Sequence, residues 1–311
     1  MRRLAIGLVV LAGLSLCVGC SSADNPSGCG PGQPTVSGKP GTDPVITIPE
    51  GKPGDGLVVC QLGAGTGQVV ESSDYVLVNV EGKVWQGNRS VVDSYTNRAP
   101  QGLPLSTAMP AWQHLAGSHV GSRVMMVVPP KDGFGSAGNP AASVTATDTL
   151  VFVFDVLRAI APTAAADGTP QPYHPTADQP SVKDGPHGPD VTVPTTSKPP
   201  DKLTTTILRR GSGPPILNGQ TVVTQYNGVN WRTGKQFDSS WQHGVPQAFV
   251  LGAGQVLPGW EQGLGGLPVG SQVLLTVPPA LGYGQAGKPP AVEGNDTLVF
   301  VIDVVAAVSG D

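Results

Sequence analysis

Charge, aromatic rings and cysteine are all scarce in this 311-residue sequence: charged residues are 13% of it, aromatic residues 5%, and there are four cysteines. The formal charge of -4 is spread out, and lysine and arginine cluster nowhere beyond the first three residues. That lacks the electrostatic footprint of nucleic-acid binding. No spacing of His, Cys, Asp or Glu matches a metal site, and no cofactor is expected. Asp238, Ser240 and His243 tempt a hydrolase reading, but they share one loop and no G-x-S-x-G accompanies them. The N-terminal apolar run, Leu4 to Val18, is too short to span a bilayer comfortably.

Glycine (43) and proline (32) are plentiful, nearly a quarter of the chain, close to the level at which part of a chain stays unstructured. The length allows about two domains of ordinary size. Arg2 and Arg3 ahead of the short apolar run, followed by Gly19-Cys20-Ser21, make residues 1–19 a signal peptide. A cysteine after a small residue at that point resembles the bacterial lipobox, although Cys17 sits where a leucine is usual. Cys20 is then the lipidation site and the protein is extracytoplasmic, anchored to the outer face of the cell membrane; the alternative is plain secretion. Cys29 and Cys60 remain, free either to pair in an oxidising compartment or to leave Cys60 as a buried thiol.

Residues 20–56, rich in Gly, Pro, Ser and Thr, read as a disordered tether, and residues 161–200 as a Pro-rich linker. Between and after them lie β-branched runs closed by Gly or Pro: Asp74 to Trp85, Ser122 to Pro130 and Asp148 to Leu157 in residues 57–160, and a matching set in 201–311. Ala111 to Gly117 is the one helical turn expected in the first set. In the second, Pro258 starts a short helix. DTLVFVFDV at Asp148 matches DTLVFVIDV at Asp296, VGSRVMMVVPP at Val120 matches VGSQVLLTVPP at Val269, and GFGSAG at Gly133 matches GYGQAG at Gly282. Three matches in one order mark a duplicated domain too long to be a solenoid unit.

With QYNG at Gln225, KQFDSS at Lys235, QVLPGWEQG at Gln255, GYG at Gly282 and DTLVFVID at Asp296, the second copy resembles the FKBP-type peptidyl-prolyl isomerases over about residues 203 to 306. The resemblance implies an α+β fold in each repeat: an antiparallel sheet curled around one short helix. It also implies a pocket for proline-containing chains. Carried over, the walls are Tyr226, Phe237, Val256, Leu257, Val292 and Phe300, the floor is Trp260, and Asp238 and Tyr283 are the polar members. The Leu257 N–H and the Tyr283 hydroxyl bind substrate carbonyls. Gln247 stands where many members have an aromatic residue, which thins one wall. Macrolide ligands are a further class of binder that the resemblance implies.

Such a pocket suits a reaction with no proton or nucleophile to move. Rotation about a peptide bond is opposed by about 18–20 kcal/mol of resonance, so the enzyme has only to bind the twisted imide better than the planar one. In the first copy Tyr226 aligns with Val80, Phe237 with Val92, Trp260 with Ala111 and Tyr283 with Phe134, while Asp93 and Phe152 are retained. That copy is expected to fold and to isomerise poorly, with Trp112 beside Ala111 as a partial replacement for the floor. The alternative function is a non-catalytic chaperone or binding lipoprotein that holds apolar segments in both copies.

Overall fold

The β-branched runs form antiparallel strands in a computed structural model that describes residues 27–185 and 187–310. The expected signal segment and Cys20 lie outside the described residues. Strands β1 (Ser27–Gly28), β2 (Thr35–Ser37) and β3 (Val45–Thr47) make a small sheet. A larger one holds β4 (Val58–Gly63), β5 (Tyr75–Val84), β6 (Ser90–Asp93), β7 (Gln101–Pro104), β8 (Arg123–Val128) and β9 (Leu150–Ile160). Its order is β4-β8-β9-β5-β6, with β7 also paired to β5. After β10 (Thr169–Pro170) and the hairpin of β11 (Ser181–Lys183) and β12 (Asp190–Thr192), the pattern recurs. Strands β13 (Thr204–Arg210), β14 (Thr221–Asn230), β15 (Gln236–Ser239), β16 (Gln247–Val250), β17 (Gln272–Val277) and β18 (Leu298–Val308) take the order β13-β17-β18-β14-β15, with β16 on β14 and β10 added beside β13.

Helix is limited to short pieces. A single turn, α1 (Ser240–His243), follows β15, and α2 (Pro258–Leu264) packs on β17. Pro258 suits the first turn, where its missing N–H has no partner to lose. A Cβ at Gly259 would lie 2.6 Å from Val277 and one at Gly263 2.7 Å from Leu275, so these two glycines let the helix approach the sheet. In the first repeat a 3-10 turn, Pro110–Leu115, takes the place of α2.

Alternation along β18 sends Phe300, Ile302 and Val304 into a core with Trp260, Leu264 and Leu275. It sends Val299 and Val301 to the opposite face, with Leu208, Val229, Trp231 and Leu274. A sheet apolar on both faces needs cover on both. Residues 161–200, expected to be a linker, supply it with Val193, Tyr173, Val182 and Val191. In the first repeat Val36 and Ile46, from the expected tether, cover Trp85, Met125, Val127, Val151 and Val153. From residue 27 onward the tether expectation is therefore corrected, and so is the linker expectation. Each segment has too few apolar residues to fold alone, but those few dock on a face that strand composition already made apolar.

Both arms are latched at equivalent points. Trp85 Nε1 donates to the Gly51 carbonyl at 3.0 Å and Trp231 Nε1 to that of Ser197 at 3.0 Å. Cys29 and Cys60 form a disulfide, Cα–Cα 5.7 Å, that ties the first arm to β4.

Asp296 fixes the turn that launches β18, accepting from Asn230 Nδ2 at 2.6 Å, Arg232 Nε at 2.8 Å and the Glu293 N–H at 2.8 Å. The Arg232 guanidinium, then Asn230 and the Glu293 N–H, hold its pKa below the ordinary carboxylate value against the opposing effect of burial. A depressed folded pKa stabilises above the unfolded value of about 3.9, and the contribution is lost as pH falls through the folded one. Asp296→Asn is expected to cost about 2 kcal/mol at pH 7 and much less at pH 2. Urea unfolding of both chains at the two pH values measures it, and an equal cost at both would contradict the assignment.

Candidate active site

On the helix-facing side of the second sheet, three rings meet around Trp260 and a fourth packs behind one of them. Tyr226 lies 5.1 Å from it at 78°, Phe300 5.2 Å at 87°, and Phe249 5.9 Å at 64°; Phe237 meets Phe300 at 5.6 Å and 81°. These are edge-to-face contacts, the arrangement favoured by the charge distribution of aromatic rings. Gly228 on β14 makes room for two of them, since a Cβ there would come within 2.9 Å of Phe300 and 3.0 Å of Phe237.

The rings floor a cavity of about 240 Å3 lined by Tyr226, Asp238, Gln247, Gln255, Val256, Leu257, Trp260, Tyr283 and Phe300. Eight of these are sequence-expected positions. Phe237 stands behind Phe300 rather than at the cavity surface, and Val292, 1% exposed, belongs to the core beneath. Gln247 is exposed, its Nε2 donating to the Ala248 carbonyl at 3.1 Å, so the wall it forms is polar. Gln255 was not expected. Its Oε1 accepts from the Val250 N–H at 2.8 Å and braces the turn before α2, and a lone glutamine in a glycine-rich turn gives no sequence signal for that.

Apart from Trp260 Nε1, which is buried without a partner among the described residues, the polar groups of the cavity stand at its rim. Tyr226 donates its hydroxyl to Asp238 Oδ2 at 2.8 Å, and His243 Nε2, on an exposed side chain, lies 3.7 Å from Oδ1. Burial, and then the Asp238 carboxylate, raise the Tyr226 pKa well above the ordinary phenol value, so its proton stays on at neutral pH. Ser240, named in the sequence only for the rejected hydrolase grouping, accepts from the Tyr226 N–H at 2.7 Å and donates to Gln225 Oε1 at 2.5 Å, fixing the end of β15 against β14. Among the described residues neither the Leu257 N–H nor the Tyr283 hydroxyl has a hydrogen-bond partner, and both residues border the cavity. Two free donors beside an apolar floor are suited to carbonyl oxygens on either side of a bound apolar ring.

The first repeat is closer to this arrangement than the sequence alignment implies. Ser94 Oγ accepts from the Val80 N–H at 2.7 Å, as Ser240 does from Tyr226, which places Val92 at the position of Asp238, Val91 at that of Phe237 and Asp93 at that of Ser239. Asp93 is therefore not a retained pocket carboxylate; its Oδ1 accepts from the Thr96 N–H at 2.9 Å instead. Counting from Pro110 and Pro258, Trp260 corresponds to Trp112, and Ala111 to Gly259. Trp112 meets Phe152 at 5.4 Å and 88°, the counterpart of the Trp260–Phe300 contact. The shorter helical turn after Pro110 had shifted the alignment by one. The first repeat keeps the tryptophan floor and loses the rim: the Tyr226 hydroxyl, the Asp238 carboxylate and the Tyr283 hydroxyl have Val80, Val92 and Phe134 in their places.

A family model described as FKBP-type peptidyl-prolyl cis-trans isomerase matches residues 67–157 and 214–305. The chain is 44% identical over 110 residues to an FK506-binding protein of Streptomyces anulatus, covering 35% of this chain and 89% of that protein. It is 36% identical over 119 residues to a probable FK506-binding protein of Corynebacterium glutamicum, covering 38% and 98%. To the peptidyl-prolyl cis-trans isomerase FKBP15-2 of Arabidopsis thaliana it is 44% identical over 88 residues, 28% of this chain, and it spans about half, 53%, of that relative's length.

Proposed function

Because the chain belongs to the family of FKBP-type peptidyl-prolyl cis-trans isomerases, we propose that its second repeat isomerises X-Pro bonds of extracytoplasmic polypeptides from a lipid anchor at Cys20. One observation carries the assignment to that repeat: the Leu257 N–H and Tyr283 hydroxyl stand free at the rim of an apolar, tryptophan-floored cavity. The Trp260, Tyr226 and Phe300 rings take the prolyl ring. The two donors hold flanking carbonyls, and the apolar surround favours the twisted imide, whose carbonyl carries less charge than the planar one. Asp238 orients Tyr226 and moves no proton. FK506-type macrolides would compete for the same cavity. The N-terminal Arg2, Arg3 and Cys20 support an extracytoplasmic location, and a Cys29–Cys60 disulfide suits an oxidising compartment.

The test is a proline-limited refolding reaction. Substoichiometric chain is expected to accelerate its slow phase, which without a catalyst takes tens to hundreds of seconds. No acceleration at any ratio would remove the isomerase reading. A specific observation favours a second role for the first repeat: Trp112 and Phe152 give it an apolar floor without the polar rim. That composition suits holding apolar segments without turnover, and suppression of client aggregation only near one copy per client would identify it.

A further inference from the structure

The two repeats treat one buried carboxylate differently, and the difference leaves a cavity. In the first, Asp155 on β9 faces Arg123 on β8. Arg123 donates from Nε to Oδ1 at 2.7 Å and from Nη2 to Oδ2 at 2.6 Å, while Tyr95 Oη (2.7 Å) and the Gly41 N–H (2.7 Å) donate to Oδ2. The guanidinium also reaches the carbonyls of Gly38 and Thr42, so it fills the space between sheet and arm.

In the second repeat the same ladder position pairs Asp303 with Gln272. Asp303, 2% exposed, accepts among the described residues only from Gln272 Nε2 at 2.8 Å and the Ala166 N–H at 3.2 Å. Trp241 replaces Tyr95, and its Nε1 is buried without a partner among the described residues. Arginine reappears one strand over, at Arg209 opposite Gln272, where the first repeat has Gly63. Arg209 pairs with the exposed Asp184 at 3.2 Å rather than with Asp303. Between sheet and arm a cavity of about 500 Å3 remains, bordered by Asp303, Gln272, Trp241, Arg209, Asp184 and His187. That volume lies within the ~300–1,000 Å3 usual for ligand sites.

We propose that this cavity binds a guanidinium group supplied from outside, in the place that Arg123 fills in the first repeat. The first repeat is a template for the bound state: a planar fork on both carboxylate oxygens, a geometry that guanidinium matches and a point-charge ammonium does not. Each Asp303 oxygen keeps acceptor capacity for one more donor. A cavity of about 500 Å3 is larger than one guanidinium, so an arginine residue with its flanking peptide groups fits the site better than the bare ion. Burial raises the Asp303 pKa, and the Gln272 and Ala166 hydrogen bonds and the Arg209 charge offset this only in part. The site lies on the opposite face of β18 from the Phe300 rings, so it does not compete with the proline cavity.

Isothermal titration of the full chain with N-acetyl-arginine amide tests this. Saturable binding is expected, with guanidinium chloride at millimolar concentration competing and urea, its uncharged isostere, not competing. Asp303→Asn keeps the shape and removes the charge, and is expected to weaken binding about tenfold or more. Gln272→Arg supplies the guanidinium internally and is expected to abolish binding. Should that variant not fold, the Asp303→Asn comparison decides alone. No saturable binding by the parent chain, equal competition by urea, or unchanged affinity in Asp303→Asn would each overturn the proposal.

Discussion

Replacing Trp260 with leucine is expected to lower kcat/KM on a prolyl peptide by about 10–100-fold, the scale on which misplacement of a bound substrate acts. Trp260 is 4% exposed and is the one ring in contact with Tyr226, Phe249 and Phe300 together. Leucine cannot present a flat floor, and the space left lets Tyr226 and Phe300 relax away from the geometry that grips a prolyl ring. A protease-free assay gives the rate. A denaturation midpoint measured alongside separates lost activity from lost fold, since removing such a side chain also costs about 3 kcal/mol of stability. Retained activity in Trp260→Leu would mean that the cavity is not where turnover occurs. If Trp112→Leu abolished activity instead, turnover would belong to the first repeat.

A chain cut to begin at residue 201 is expected to be less stable than one beginning at 161 by on the order of 3 kcal/mol. Removing 161–200 strips Val193, Tyr173, Val182 and Val191 from the outer face and bares Val229, Trp231, Leu274, Val299 and Val301 to water. Full burial of one such side chain contributes about 1.5–3 kcal/mol, much of it offset by about 1–2 kcal/mol for each backbone residue ordered. The lost Trp231–Ser197 hydrogen bond adds to the effect. Urea midpoints of the two chains measure the difference. Equal midpoints would show that the arm rests on the sheet without stabilising it.

Where sequence and structure part is physically uneven. The strand runs and the α2 segment were legible because their patterns are local: β-branched alternation closed by Gly or Pro, and Pro258 at a helix start. The rings of the second cavity were legible because family motifs fix their order along the chain, and eight of the expected positions border one cavity. The arms were not legible. Their composition reports only what they bury by themselves, whereas Val36, Ile46 and Val193 are buried by a sheet face that lies elsewhere in the sequence. The sequence offered Trp112 only as a partial replacement beside Ala111, because the shorter 3-10 turn shifts the residue count by one, and the ring contacts place it as the counterpart of Trp260.

By itself the sequence determined a duplicated β-rich chain, the order of the pocket motifs, and which copy carries the polar rim, because each of these is written in consecutive residues. The tertiary structure alone decided that the proline-rich segments are part of each repeat. It also decided that Asp155 has a guanidinium where Asp303 has a cavity. Burial and charge pairing are properties of neighbours in space, and those neighbours here stand 32 residues apart for Arg123 and Asp155 and 137 for Ala166 and Asp303.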